Sequence, residues 1–119
     1  MTPTTTRRLP PTPAGVAEVA QIWADGGIAA VPTETVYGLG ADARNDTAVA
    51  RIYEAKGRPA FNPLIVHVPD MAAAEHYCTF DHAAQRLAQA FWPGALTLVL
   101  PLKPDAGISK LVTAGLDTL

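Results

Sequence analysis

The chain has 119 residues, 49% of them apolar and 17% charged, with nine Lys and Arg against eleven Asp and Glu for a net charge of −2. That length fits one domain able to bury about two-thirds of its unfolded surface, and the composition excludes a disordered polyelectrolyte, a fibrous repeat and a broadly basic surface that grips nucleic acid without sequence preference. A single cysteine, Cys78, excludes an internal disulfide. No apolar run reaches the roughly eighteen residues of a membrane span, and residues 1–13 lack the apolar stretch of a secretory signal, so a cytoplasmic protein with no membrane partner is the expectation.

Four of the eleven prolines and a threonine run fall in residues 1–13, which predicts a flexible Pro/Thr-rich leader ahead of a folded unit over 14–119. Pro13 suits a first helical turn, and Val16, Val19, Ala20 and Trp23 recur at helical spacing until Gly26 and Gly27. The apolar run Ile28–Val31, ended by Pro32, predicts a buried strand. Residues 33–40 hold too many β-branched residues and glycines for a helix and read as a turn-rich stretch. Asn45 or Asp46 caps a second helix with Val49, Ile52 and Tyr53 on its inner face, closed by Lys56 and Gly57. Pro63–Val68 predicts a strand between two prolines. Asp70 caps a short helix to Tyr77 and Asp81 a longer one to Phe91 and Trp92, which Pro93 and Gly94 break before a last strand over Leu96–Leu100. Strands alternating with helices place the chain in a mixed α/β class.

Three places offer chemistry. The loop Pro32–Gly40 combines hydroxyls at Thr33 and Thr35 with the Glu34 carboxylate, Tyr37 and two glycines that permit close backbone approach, features suited to a small polar ligand and equally to a plain turn. Lys56 and Arg58, separated by one glycine, can converge on a polyphosphate, with Arg58 supplying a planar fork. The alternative is that Lys56 only complements the carbonyl end of its helix while Arg58 lies in solvent. His67 lies in the predicted strand Pro63–Val68, either as an edge residue or as a ligand contact. His76, His82 and Cys78 match no zinc spacing, and Ser109 has neither an adjacent base nor a nucleophile elbow, so no catalytic nucleophile is assigned.

Taken in order, the strings over Gly27–Leu39, Ile52–Pro59, Asn62–Val68 and Trp92–Leu100 resemble the YrdC-type threonylcarbamoyl-adenylate synthase family over roughly residues 15–119. The resemblance implies a twisted mixed β-sheet with flanking helices, an α/β (α+β) fold with a concave basic cleft. It implies a nucleotidyltransferase that condenses L-threonine, bicarbonate and ATP, carried with Mg²⁺, into threonylcarbamoyl-AMP and pyrophosphate for tRNA threonylcarbamoyladenosine modification. By that resemblance Lys56, Arg58, Asn62 and Thr118 contact ATP, and Thr33 and His67 line the threonine pocket. Thr35 and Tyr37 are further pocket residues. tRNA, tRNA-modification proteins and double-stranded RNA enter as implied partners.

The family's pattern continues past Leu119 into a strand bearing an arginine and then a Ser-x-Asn pair, so residues 14–119 correspond to the N-terminal portion of such a domain. Two alternatives stand beside the synthase: a non-catalytic protein that uses the same cleft to bind nucleotide or RNA, and an inactive remnant. The net charge of −2 weighs against general RNA binding.

Overall fold

A computed structural model describes residues 5–57 and 62–119. Helix α1 spans Pro13–Ala24; Thr12 caps it by accepting the Gly15 N–H at 3.2 Å, with Pro13 in the first turn where its missing N–H costs nothing. Its inner face is set by close approach. Gly15 is the buried residue, and a Cβ there would lie 1.9 Å from the Pro10 carbonyl oxygen, so residues 10–12 cross the start of the helix directly. Arg7 pairs with Glu18 on the same helix. Val16, expected inside, is 66% exposed, and Ala20 is exposed as well; Val19, Ile22 and Trp23 carry the inward face instead.

Strands β1 (Ala29–Pro32) and β2 (Tyr37–Gly40) form an antiparallel hairpin in the register Ala29↔Gly40 to Pro32↔Tyr37. The stretch read from sequence as all turn is therefore a turn over 33–36 followed by a strand. Trp23 holds the hairpin to α1: its indole N–H donates to the Gly40 carbonyl at 2.9 Å, and a Cβ on Gly40 would stand 2.9 Å from the indole ring. Only glycine lets backbone and ring meet so closely.

Helix α2 spans Asp46–Lys56, with Asn45 as its cap, accepting the Ala48 N–H at 3.1 Å, and Gly57 as its stop at φ 62°. Arg51 donates to the Gly26 carbonyl at 2.8 Å and ties α2 to the turn after α1. Val49 and Tyr53 pack with Val112 as the core, against which Leu64, Val66, Ile108 and Leu111 lie partly buried. The Tyr53 hydroxyl stands 2.7 Å from both the Asn62 and the Leu111 carbonyl oxygens. Its single proton serves one at a time, so this residue links α2 to two later parts of the chain.

Helices α3 (Met71–Glu75) and α4 (His82–Phe91) are capped by Asp70 and Asp81 through the N–H groups of Ala73 and Ala84, at 2.8 and 2.7 Å. A one-turn helix, α5 (Lys110–Thr113), follows Ser109, whose hydroxyl accepts the Leu111 N–H. The expected strands over 63–68 and 96–100 behave differently. Both alternate half-buried with exposed residues, the period of a strand, but neither joins a sheet among the described residues. The segment 96–100 is held at its ends: Leu96 N–H donates to the Gly94 carbonyl at 2.9 Å, and at the other end Leu100 and Leu119 exchange backbone bonds of 3.0 and 2.9 Å and Leu102 N–H reaches the Asp117 carbonyl. The fold is α+β, and its hydrogen-bonded sheet, among the described residues, is the β1–β2 pair. Among those residues no helix is long and apolar enough to cross a membrane.

Candidate functional site

Between the two extended segments lies a cleft of about 530 Å³. Leu64–Val68 forms one wall and Leu96–Leu100 the other, with Phe80 and Trp92 at one side. Those two rings meet edge to face with centroids 6.2 Å apart, and the Trp92 indole donates to the Leu96 carbonyl at 2.9 Å, which fixes the start of the second wall. The lining is mostly apolar. Its polar groups are the carboxylates of Glu34 and Asp70, the His67 imidazole, the Gln89 amide, the Cys78 thiol, and the hydroxyls of Tyr77, Thr97, Thr113 and Thr118.

Of the residues singled out in the sequence, His67 and Thr118 line this cleft. His67 is exposed on its wall, and Thr118 bridges to Pro101 where the chain pairs with the other wall. Thr33 does not line it. Its hydroxyl donates to the Val36 carbonyl and accepts the Thr35 N–H at 3.3 Å, so its first task is to close the β1–β2 turn. That turn carries Glu34 to the cleft and leaves Thr35 and Tyr37 exposed, Tyr37 at 75%.

Lys56 sits exposed in the last turn of α2 and makes no hydrogen bond or ion pair among the described residues. It stands at the carbonyl end of the helix dipole with its ammonium group available. Arg58 lies outside the described residues. The Asn62 carbonyl accepts from the Tyr53 hydroxyl, so its backbone is anchored to the core. Lys56 and Asn62 are not among the cleft-lining residues; the structure thus separates the α2 cation from the cleft groups. Five polar residues of the cleft were not singled out as site residues from sequence alone: Thr97, which read there as a strand position, Asp70, which read as a helix cap, and Tyr77, Gln89 and Thr113.

Cys78 is buried beneath the cleft, and burial pushes its thiol above the ordinary value despite the opposing charge of Lys103. Its thiol is therefore held protonated, the opposite of a reactive cysteine. Ser109 is occupied as the α5 cap. Among the described residues no group of three or more His, Cys, Asp or Glu side chains is placed to hold a metal ion.

An α+β domain with an antiparallel hairpin whose turn reaches an apolar cleft is the class this architecture defines. The Sua5_yciO_yrdC family model, described as "Telomere recombination", matches residues 21–119, and the chain belongs to that family. It is 53% identical over 105 residues to a threonylcarbamoyl-AMP synthase of Bacillus subtilis, covering 87% of this chain and 30% of that protein. Among solved structures it resembles Pyrococcus abyssi Sua5 complexed with L-threonine, with TM-score 0.83 and 46% identity over 89% of this chain and 31% of that one. It also resembles full-length HypF in a phosphate- and nucleotide-bound form, with TM-score 0.73 and 25% identity over 88% of this chain and 13% of that one. The chain thus spans about a third of the length of the synthase relatives.

Proposed function

We propose that this chain carries the threonine-recognising and part of the ATP-binding machinery of an L-threonylcarbamoyladenylate synthase. The observation that carries the reading is the match over nearly the whole chain to a Sua5 complexed with L-threonine, at 46% identity and TM-score 0.83. The likeness to a nucleotide-bound HypF structure supports the nucleotide half of the reading.

In this proposal the threonine amine attacks bicarbonate to give a carbamate and water. A carbamate oxygen then attacks the α-phosphorus of ATP; the bond to the β-phosphate oxygen breaks, and pyrophosphate leaves. The step needs positioning and charge more than an acid–base pair. Thr33, with Thr35 and Tyr37 beside it at the hairpin tip, and His67 on the cleft wall hold the amino acid, and fixing it beside the triphosphate supplies the proximity. Lys56 and Arg58, with Asn62 and Thr118, hold the nucleotide. Negative charge grows on the phosphoryl oxygens in the transition state, and an unpaired ammonium with a neighbouring guanidinium stabilises it most where water is excluded. Glu34 and Asp70, the carboxylates at the cleft, do not make a chelating set, so Mg²⁺ is assigned to the phosphates of ATP as part of the substrate.

The downstream acceptor in this reading is tRNA, reached through tRNA-modification proteins in the cytoplasm. A net charge of −2 favours a protein that hands over a small activated intermediate over one that grips double-stranded RNA itself. The test is pyrophosphate release from ATP by the purified chain, assayed with L-threonine and bicarbonate together and with each omitted. Release that requires both, and that is lost in Lys56→Ala and in Arg58→Ala while the circular dichroism spectrum is unchanged, is the expected result. Undiminished release in either variant removes that residue from the nucleotide site.

A further inference from the structure

The turn between β1 and β2 gives one charged group to the cleft and keeps its other polar groups for itself. The Thr33 hydroxyl donates to the Val36 carbonyl, accepts the Thr35 N–H at 3.3 Å and lies 3.4 Å from the Thr35 hydroxyl, while the Thr33 N–H reaches the Val36 carbonyl at 3.2 Å. Both threonines are thus engaged in closing the turn, and neither lines the cleft. Glu34, held between them, does line it, and its carboxylate makes no hydrogen bond or ion pair among the described residues.

The other carboxylate of the cleft is differently placed. Asp70 caps α3, its Oδ1 accepting the Ala73 N–H at 2.8 Å. No Lys or Arg lines the cleft among the described residues, so no cation of the protein there competes for Glu34. A free carboxylate beside apolar walls is a strong acceptor for a cationic donor and a poor neighbour for an anion, because a low local dielectric magnifies both effects.

We propose that Glu34 is the contact for the ammonium group of the bound amino acid, and so the residue that makes the site select an amine, an inference that rests on the reading of this site as a threonine site. L-threonine carries an ammonium group at neutral pH. Thr33, Thr35, Tyr37 and His67, the residues already assigned to it, include no anion to meet that positive end. Glu34 supplies one from the same turn as Thr33, and it shares the cleft with His67. The ammonium donates and the carboxylate accepts. Glu34→Gln keeps an acceptor oxygen at nearly the same reach and removes only the charge, which makes it the informative variant.

The test compares two ligands on the isotope-labelled full chain at neutral pH: L-threonine, and the 2,3-dihydroxybutanoate of the same configuration, which carries a hydroxyl in place of the amine. In the parent, threonine is expected to bind about tenfold or more tighter than the analogue. In Glu34→Gln, threonine is expected to weaken by about tenfold or more, the effect of one charge-assisted bond. The analogue is expected to bind that variant no more weakly than the parent, so the preference disappears. Asp70→Asn, which keeps a capping oxygen for α3, is expected to leave the preference intact. An unchanged preference in Glu34→Gln overturns the proposal, as does loss of the preference in Asp70→Asn. Equal weakening of both ligands in Glu34→Gln also overturns it, since a distorted turn then accounts for the effect. A parent that shows no saturable response to L-threonine overturns the reading of the site itself, and this inference with it.

Discussion

Residues 13–57 and residues 62–119 use the same elements to opposite ends. In the first stretch each regular segment finds its partner nearby: β1 pairs with β2, Trp23 clasps Gly40, and Arg51 ties α2 back to Gly26. In the second, two segments with strand periodicity face each other across a cleft and are bonded only at their ends. Helix α2 belongs to both, since Val49 and Tyr53 pack on Val112 and the Tyr53 hydroxyl reaches Asn62 and Leu111. The difference teaches that backbone bonding in the first stretch closes locally, whereas the two extended segments of the second, among the described residues, are bonded at their ends beside a cleft.

The largest expected effect separating the halves is in amide exchange of the free chain. Amides of α2 and of the β1–β2 ladder are expected to exchange orders of magnitude more slowly than those of residues 65–68 and 97–99, whose N–H groups have no hydrogen-bond partner among the described residues. Comparable protection in both sets, measured by magnetic resonance, would erase the distinction.

Next in size is the tie between the halves. Tyr53→Phe keeps the packing but removes the one proton that the half-buried Asn62 and Leu111 carbonyls share, for an expected loss of about 1–3 kcal/mol in urea unfolding. A loss near zero would mean that the packing of Val49 on Val112 alone joins the halves.

The smallest effect lies within the first stretch. The Arg44 guanidinium beside Asp42 holds that carboxyl below its ordinary value, with Arg44 bonded at 3.0 Å and itself 63% exposed. A carboxyl lowered in the folded state stabilises above the unfolded value and loses that contribution as pH falls through the lowered one. Screening at so exposed a pair limits the cost of Arg44→Ala to less than about 1 kcal/mol at neutral pH. Once the pH falls below the lowered value of the Asp42 carboxyl, variant and parent should unfold alike; a difference that persisted there would have a non-ionic origin.

How much was legible in the sequence follows the same divide. Helix α2 could be read almost to the residue because its signals are local: Asn45 at one end, Gly57 at the other, and an inner face of Val49, Ile52 and Tyr53. The caps at Asp70 and Asp81 were legible for the same reason. The inner face of α1 was not, because the passage of Pro10 over Gly15, a tertiary contact, decides it. The alternation of 63–68 and 96–100 is written in the sequence, whereas the partner of each edge is a long-range matter. Helix α5 escaped notice as a single turn whose Leu-Val-Thr reads as strand. In the site, the separate residues Glu34, His67 and Thr118 stood in the sequence, but their meeting at one cleft depends on contacts no local pattern encodes. Thr33 was singled out in the sequence for a pocket and does not line the cleft; its hold on Val36, which shapes the turn, was not legible there.

The central claim is that the cleft and the hairpin tip together hold an amino acid, and the direct measurement is titration of the isotope-labelled chain with L-threonine. Saturable shifts confined to residues 33–37, His67 and Thr118, and absent with D-threonine, are the predicted result. Equal response to the two enantiomers, or shifts centred away from the cleft, would contradict the account.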